Sequence, residues 1–165
     1  MFITSILVVN EIRLNRQVVH QNLDKALNQA TSQYQDRKNQ LRAVADSLAR
    51  AGDFASYART RDRRGLNSLL ASVHGWDPSF FATFWDTQKR VLAQSVGSDA
   101  ISPGQERIDA ALERALGERP SFAIEFDSNG QPRQILIQPV YDDTTGDLLG
   151  ALGVGFFLQD GFVNQ

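Results

Sequence analysis

The sequence predicts an α+β domain in which a long N-terminal helix precedes a small antiparallel sheet, and three observations predict this class. From Asn10 to Arg50 the chain contains neither Pro nor Gly, which favours one long helix. Residues 79–93 have the pattern of a β-hairpin, and residues 121–158 have the pattern of three further strands separated by turns. A chain of 165 residues with 42% hydrophobic residues suits a single core.

The composition and the thin set of catalytic residues exclude several function classes. The formal net charge of -2 gives no basic field, so no nucleic-acid partner is predicted. The absence of cysteine removes disulfides, thiolate catalysis and cysteine-based metal sites. The two histidines, His20 and His74, form no metal-ligand pair, and the chain has no nucleophile elbow. We therefore predict no enzyme, no metal and no cofactor.

The first nine residues are predicted to be a remnant of a transmembrane helix. Phe2 to Val9 is mostly apolar, but it is far shorter than the roughly 20 residues that span a bilayer. It also lacks the basic start and the small-residue cleavage site of a signal peptide. Taken alone, these residues equally suit an exposed apolar helix start or vector-derived sequence, and the rest of the chain favours the membrane remnant.

Residues 10–52 are predicted to form one long helix that ends at Gly52. Its apolar positions recur every three, four or seven residues, with Arg37 in the same stripe. A stripe this narrow suits a dimer seam in the first half of the helix and packing on its own domain in the second. For the second half, an ordinary amphipathic helix lying on a sheet is the alternative. The stripe consists of Leu23, Leu27, Ala30, Tyr34, Leu41, Val44 and Leu48.

Two short helices are predicted next, with Asp53 and Asp62 as their N-caps. Four arginines lie within residues 59–64, around the second cap. Guanidinium groups and free backbone N–H groups at a helix start together favour a carboxylate or a phosphate. The segment is therefore a candidate anion site, and a solvated charged turn is the simpler interpretation. The buried face of the second helix would be Leu66, Leu69, Leu70 and Val73.

A hairpin and a further helix follow. Residues 79–86 are aromatic and β-prone, and a polar turn separates them from residues 91–93. Residues 102–105 have the form of a capping box with Pro at the first helical position. The helix that they begin is predicted to end at Gly117, before Pro120.

The last third of the chain predicts a three-stranded meander. Asn129-Gly130 is a strong hairpin signal, and residues 143–146 turn the chain again. The closing strand, Leu148 to Leu158, is apolar nearly throughout, which indicates a central strand covered on both faces. Glycines weaken strands, so those of the closing strand are predicted to admit a close neighbour, which could be a helix, a bulge or a ligand and is most simply a packed helix. These are Gly150, Gly153 and Gly155.

The order of the elements resembles that of the extracytoplasmic Cache sensor domains, the PAS-like modules of bacterial transmembrane receptors. Their motifs resemble three stretches of this chain: Trp85-Asp86 before residues 91–93, residues 138–140, and the closing Gly-Ala-Leu-Gly-Val-Gly-Phe sequence. The resemblance covers residues 10–162 and implies a five-stranded antiparallel sheet in the order 2-1-5-4-3. Residues 53–165 would form the PAS-like sensor domain, as one folded unit with the helix. On the first helix the matching residues are Tyr34, Asp36, Arg37, Leu41, Ala45, Leu48 and Ala49.

The same resemblance implies a ligand pocket between the sheet and a cover made by residues 57–76 and 97–103. Arg61 and Arg64 would hold a carboxylate, and Trp76 and Tyr141 would form walls. Glu125 would belong to the floor, although strand alternation equally suits a solvated side chain there. The implied ligand-binding residues are Arg61, Arg64, Trp76, Phe84, Glu125, Gln138 and Tyr141.

The resemblance implies a ligand-sensing domain in the periplasmic or extracellular space, part of an inner-membrane receptor. It would bind a small molecule, act as a homodimer through the long helix, and couple binding to movement of that membrane-linked helix. The flanking membrane helices would lie outside this sequence. A ligand-free dimerisation or interaction module is the alternative, because the ten phenylalanines could fill the pocket.

Overall fold

The computed structural model describes residues 3–76, 79–95, 106–127 and 130–158. The chain forms two compact units, residues 1–37 and residues 38–165. The described part contains four helices and five strands. They are α1 (Ile3–Ala49), α2 (Phe54–Thr60), α3 (Arg63–Trp76), β1 (Phe80–Asp86), β2 (Val91–Gln94), α4 (Glu106–Leu116), β3 (Ser121–Phe126), β4 (Pro132–Tyr141) and β5 (Leu148–Phe157).

The five strands form one antiparallel sheet in the order β2-β1-β5-β4-β3, which confirms the predicted order. β5 is the central strand, paired with β1 on one side and β4 on the other. Its middle is buried on both faces, as its continuous apolar sequence predicts. Among the described strands, β2 and β3 are the two edges of the sheet, and neither has a second strand partner there.

Helices cover both faces of the sheet, and each face has its own core. The α1 face, which carries Phe84, Leu136 and Val154, packs against the end of α1, α2 and α3. The α4 face, which carries Trp85 and Ile135, packs against α4. Successive strand residues point to opposite faces, so alternation along β1, β4 and β5 supplies both cores.

The part of α1 inside the second unit is built into the core of the α1 face. Leu41 and Ala45 are fully buried there, and Leu48 nearly so. On the outer side of this segment, Lys38 Nζ lies 4.6 Å from the ring centroid of Phe122 in β3. Among residues 18–37 of the first unit, by contrast, α1 exposes large apolar side chains, namely Val18, Val19, Leu23, Leu27 and Tyr34.

The helix boundaries partly match the predictions. α1 ends at Ala49, three residues before Gly52. Asp62 Oδ1 accepts hydrogen bonds from the N–H groups of Arg64 and Gly65, so it is the predicted N-cap of α3. The same prediction for Asp53 is wrong, because its side chain makes no capping hydrogen bond and its backbone is helical. The predicted capping box and the Asn129 turn position lie outside the described residues.

The prediction that a helix packs on the glycines of β5 is also wrong, because their nearest neighbours belong to the adjacent strands, mainly β1 and, at Gly155, also Gln134 of β4. A Cβ atom at Gly153 would lie 2.6 Å from the Trp85 ring, and one at Gly155 would lie 2.3 Å from the Phe81 ring. At Gly150 it would lie 2.0 Å from the backbone oxygen of Trp85. The glycines therefore make room for two aromatic rings and a backbone segment of the neighbouring strand.

Candidate ligand-binding site

The predicted carboxylate-binding residues lie at the corner between α2 and α3. Arg61 is the C-cap of α2 in the left-handed conformation, with φ 55°, and its N–H bonds back to the last turn of α2. Arg64 is the second residue of α3. Both side chains are exposed. Trp76 is the last residue of α3, and its side chain lies outside the described part of the structure.

The four predicted floor residues are divided between the two faces of the sheet. Phe84 is fully buried on the α1 face, where its ring meets that of Phe54 edge-on at 5.2 Å between ring centroids. Gln138 is buried on the same face, between core residues of β4. Glu125 follows the alternation of the α4 face. Tyr141 lies near Glu118, which comes just after α4. The pKa of Tyr141 is raised, mainly because the side chain is partly desolvated and secondarily because of the Glu118 carboxylate. The four side chains therefore do not line one surface.

Glu125 has a structural partner. Its Oε1 accepts a hydrogen bond from Arg133 Nη2, and both side chains are almost fully buried. The Arg133 guanidinium also lies 5.6 Å from the centroid of the Phe81 ring. The solvated interpretation of Glu125 is therefore wrong, because the residue forms a buried ion pair within the core of the α4 face.

A groove lies between α3 and the edge strand β2, with a volume of about 490 Å³. We call it the edge groove. Asn67 spans it, since its Oδ1 accepts a hydrogen bond at 3.0 Å from the backbone N–H of Gln94 in β2. Its lining residues are Arg63, Asn67, Val91, Leu92, Ala93, Gln94 and Ser95.

The rotation of α3 about its axis puts Arg63 and Asn67 in this groove. Leu66, Leu70 and Val73 all turn into the core of the α1 face. Residues 63 and 67 are one turn apart and flank that stripe, so they share a side of the helix. This helical phase was readable from the sequence, and it distinguishes Arg63 from the predicted Arg61 and Arg64.

The corner that orients α3 is held by a tight contact. The Tyr57 ring of α2 lies against Gly65, where an added Cβ would be only 2.7 Å from the ring. The N–H of Asp62 donates to the carbonyl of Tyr57 at 2.9 Å. These contacts fix the start of α3, and therefore the direction in which Arg63 leaves the helix.

A second basic side chain of the corner, Arg59, is already paired. Its Nε lies 2.5 Å from Oδ2 of Asp142, in the turn between β4 and β5. Asp142 is buried, and its Oδ1 accepts the N–H of Thr144 at 2.8 Å. The Thr144 hydrogen bond first, and then Arg59, lower the pKa of Asp142. Arg59 therefore ties α2 to the sheet.

The polar side chains that line the edge groove include one exposed guanidinium. Arg63 contributes a guanidinium and is the one charged residue among the described lining residues. Nε2 of Gln94 is buried and has no hydrogen-bond partner in the described part of the chain. Across all described residues, no group of three or more metal-ligating side chains is assembled. Arg63 is therefore the side chain of the described lining that can form a charge-assisted hydrogen bond with an anion.

The fold is the PAS-like fold of extracytoplasmic sensor domains. The sensor domain of the Vibrio cholerae histidine kinase DctB aligns with a TM-score of 0.74 at 13% identity, over 90% of this chain and 61% of that one. The Escherichia coli DcuS sensor domain aligns with a TM-score of 0.55 at 17% identity, over 73% of this chain and 86% of that one.

A chemoreceptor domain is also similar. The ligand-binding domain of Campylobacter jejuni Tlp3, in complex with L-valine, aligns with a TM-score of 0.61 at 18% identity. The alignment covers 81% of this chain and 57% of that domain, so the chain spans little more than half of this relative. No protein-family model and no curated protein sequence matches the chain. Within the described residues, no helix combines the length and apolarity needed to cross a bilayer.

Proposed function

We propose that the chain is the ligand-sensing, periplasmic domain of a bacterial signal-transduction receptor and that it couples small-molecule binding to movement of α1. The sensor domains that share its fold support the proposal, and one of them is described with an amino acid bound. The observation that carries it is the division of α1 into a buried and an exposed part.

The buried part of α1 gives ligand binding a means to act on the helix. Leu41, Ala45 and Leu48 are packed in the same core as α3 and β2. A ligand that changes the packing of α3 on the sheet therefore changes the surroundings of α1. Such a ligand shifts the helix only if it binds two arrangements with different affinity, since tight binding alone shifts nothing.

The exposed part of α1 supports a homodimer. Leu23 and Leu27 are each 64% exposed, and they belong to a stripe with heptad-like spacing. Isolated exposed apolar residues are ordinary, but a stripe at three- and four-residue steps suits a coiled-coil seam. We propose that a second copy of the chain packs along this stripe.

The dimer is tested by sedimentation equilibrium of the full chain. The wild type should be a dimer, and Leu27→Glu should be a monomer because it places a charge in the seam. Gln29→Glu adds the same charge on the other side of α1 and should remain a dimer. A monomeric wild type, or a Leu27→Glu variant that dimerises as tightly as the wild type, would refute the seam.

Sensing and coupling are tested by thermal unfolding against a panel of amino acids and small carboxylates. A ligand at 100 times its Kd stabilises the folded state by about 2.7 kcal/mol. Hydrogen exchange with and without that ligand should then show altered protection in residues 38–49. A ligand that raises the Tm and leaves this segment unchanged would contradict the coupling. Arg61 and Arg64 stay candidate carboxylate contacts, and each is tested by substitution with Gln.

The second candidate is a dimerisation module that binds no ligand. Aromatic contacts inside both cores favour it, with Phe54 against Phe84 at 5.2 Å and Phe81 against Phe157 at 5.3 Å between ring centroids. A dimer that responds to no member of the panel would support this candidate over sensing.

A further inference from the structure

We propose that the outer edge of β3 is a docking surface for the β3 edge of a second copy of this chain. The contact is separate from the seam on α1, and it rests on the proposed function only for its membrane setting. Among the described residues of the second unit, the large apolar side chains that stay exposed are Ile124, at 40%, and Phe126, at 57%. Both belong to β3.

The edge of the sheet at β2 is covered by the chain itself. α3 lies beside this strand, and Asn67 Oδ1 accepts the outward N–H of Gln94 at 3.0 Å. β2 is also short, with four residues. Short strands and covering elements are ordinary ways to prevent an edge from pairing with another chain. β3 is longer, with six residues, and its apolar side chains stay exposed.

The backbone of β3 offers hydrogen-bonding groups to a further strand. The N–H of Asp127 bonds to the carbonyl of Gln131 inside the hairpin of β3 and β4, which fixes the alternation along the strand. The N–H and C=O groups of residues 122, 124 and 126 therefore point away from β4. From outside the sheet, Arg107 Nη1 approaches the Ile124 carbonyl at 3.4 Å, which is a long and weak contact. An edge of this kind is a template for another strand.

The apolar residues of β3 match one another when two copies pair antiparallel with Ala123 opposite Ala123. Phe122 then lies beside Ile124 of the second copy, on the α1 face of both sheets, and such cross-strand pairs stabilise a sheet. The outward N–H groups of residues 122 and 124 meet carbonyls of the opposite strand, and the N–H of Phe126 meets the carbonyl of Pro120. Because Pro120 has no N–H, the Phe126 carbonyl stays open to water at each end.

The charges beside β3 select the same register. Arg119 precedes the strand and is exposed, and Asp127 follows it. With Ala123 opposite Ala123, Arg119 of each copy lies opposite Asp127 of the other, so both ends of the pair carry opposite charges. A shift of two residues in either direction moves Arg119 away from Asp127. The strand is therefore complementary to a second copy of itself in charge as well as in apolar surface.

The pairing is weak by itself. The exposed parts of Ile124 and Phe126 amount to on the order of 400 Å² over both copies, against roughly 1,200 Å² or more in a stable interface. We expect a Kd on the order of 1 mM. Between receptor dimers confined to a membrane, the high local concentration makes such a contact effective. In solution, the α1 seam should form first and the β3 pair only at high protein concentration.

Sedimentation equilibrium of the full chain from about 10 µM to about 1 mM tests the contact. At the upper end, wild-type dimers should join into tetramers and larger species, and Leu27→Glu, which removes the seam, should pass from monomer to dimer. Ile124→Lys should weaken this association at least about tenfold in both backgrounds. Thr87→Lys adds the same charge in the exposed turn between β1 and β2 and should leave the association unchanged.

A charge exchange tests the register. Arg119→Glu and Asp127→Lys each put like charges together at both ends and should weaken the association about three- to tenfold. The double variant exchanges the two charges and should recover most of the wild-type association. Asp127 also accepts the N–H of Gln131, and the double variant lacks this bond just as Asp127→Lys does, so recovery reports on the charge pair. No recovery would overturn the register, and with it the second copy as the partner.

The remaining outcomes separate this inference from the proposed function, which the ligand panel tests independently. If the wild type stays a dimer and Leu27→Glu a monomer up to about 1 mM, the β3 edge serves a different partner and the inference is wrong. If both associate further and Ile124→Lys makes no difference, the contact lies elsewhere and the inference is wrong. If Leu27→Glu still dimerises at about 10 µM and Ile124→Lys abolishes this dimer, the α1 seam fails and the β3 contact stands.

Discussion

Replacing Gly153 with Ala should destabilise the domain by overpacking the contact between β1 and β5. The new Cβ would lie 2.6 Å from Cζ3 and 2.8 Å from Cη2 of Trp85, well inside van der Waals contact. Trp85 is fully buried within the core of the α4 face, so its ring cannot swing into solvent. Forcing one extra methyl group into such a core costs about 1–3 kcal/mol.

Thermal unfolding followed by circular dichroism measures this cost. For a chain of this size each kcal/mol lowers the Tm by about 2–4 °C, so Gly153→Ala should unfold at least about 2 °C below the wild type. Gly75→Ala is the matched control. Gly75 lies in α3 with nothing within 4 Å of an added Cβ, so it should be neutral or stabilising by up to about 1 kcal/mol.

A double mutant shows whether the ring causes the effect. Trp85→Phe removes the two atoms that the new methyl group would meet, so Gly153→Ala should cost less in that background than in the wild type. A Gly153→Ala variant as stable as Gly75→Ala would refute the steric argument. Equal costs in both backgrounds would show that Trp85 is not the obstacle.

Three further predictions concern buried groups. Leu70→Ala, at a fully buried position, should lower the free energy of unfolding by about 2–5 kcal/mol in urea. Arg133→Met should cost about 3–5 kcal/mol because it leaves the Glu125 charge buried and unpaired, and adding Glu125→Leu should recover most of this loss. The pKa of Asp142 is lowered in the folded state, so its ionised carboxylate stabilises the fold above about pH 4, and this stabilisation is lost as the pH falls through the lowered pKa. The free energy of unfolding in urea, measured from pH 7 to pH 2, should therefore depend less on pH in Asp142→Asn than in the wild type. An unchanged pH profile would contradict this.

Most of the fold was predictable because local sequence and overall topology agree. The breaker-free segment became α1, and the apolar closing strand became the centre of the sheet. The order of the strands came from the resemblance, since alternation alone does not say which strands are neighbours. The predicted cap at Asp53 is wrong because the residue type favours a cap without requiring its side chain to fold back onto the helix.

The candidate site was predictable only in part. The arginine-rich corner was identified, but the arginine that lines the edge groove depends on the rotation of α3, which the buried leucines fix. The floor residues were grouped without regard to alternation, although β3 and β4 each place successive residues on opposite faces. Asn67 and Gln94 carry no sequence signal as a pair, because only the fold brings α3 beside β2.

The glycines of β5 also specify how β1 is aligned along it. Sliding β1 by two residues would keep every side chain on its own face, so burial alone does not forbid the error. In the native pairing Phe81 lies over Gly155, and Trp85 leans over Gly153. A shift in one direction would put Trp85 over Ala151, and a shift in the other would put Phe81 opposite Phe157. The positions of Gly153 and Gly155 therefore favour the native alignment, the one in which each ring lies over a glycine, over a shift of two residues in either direction.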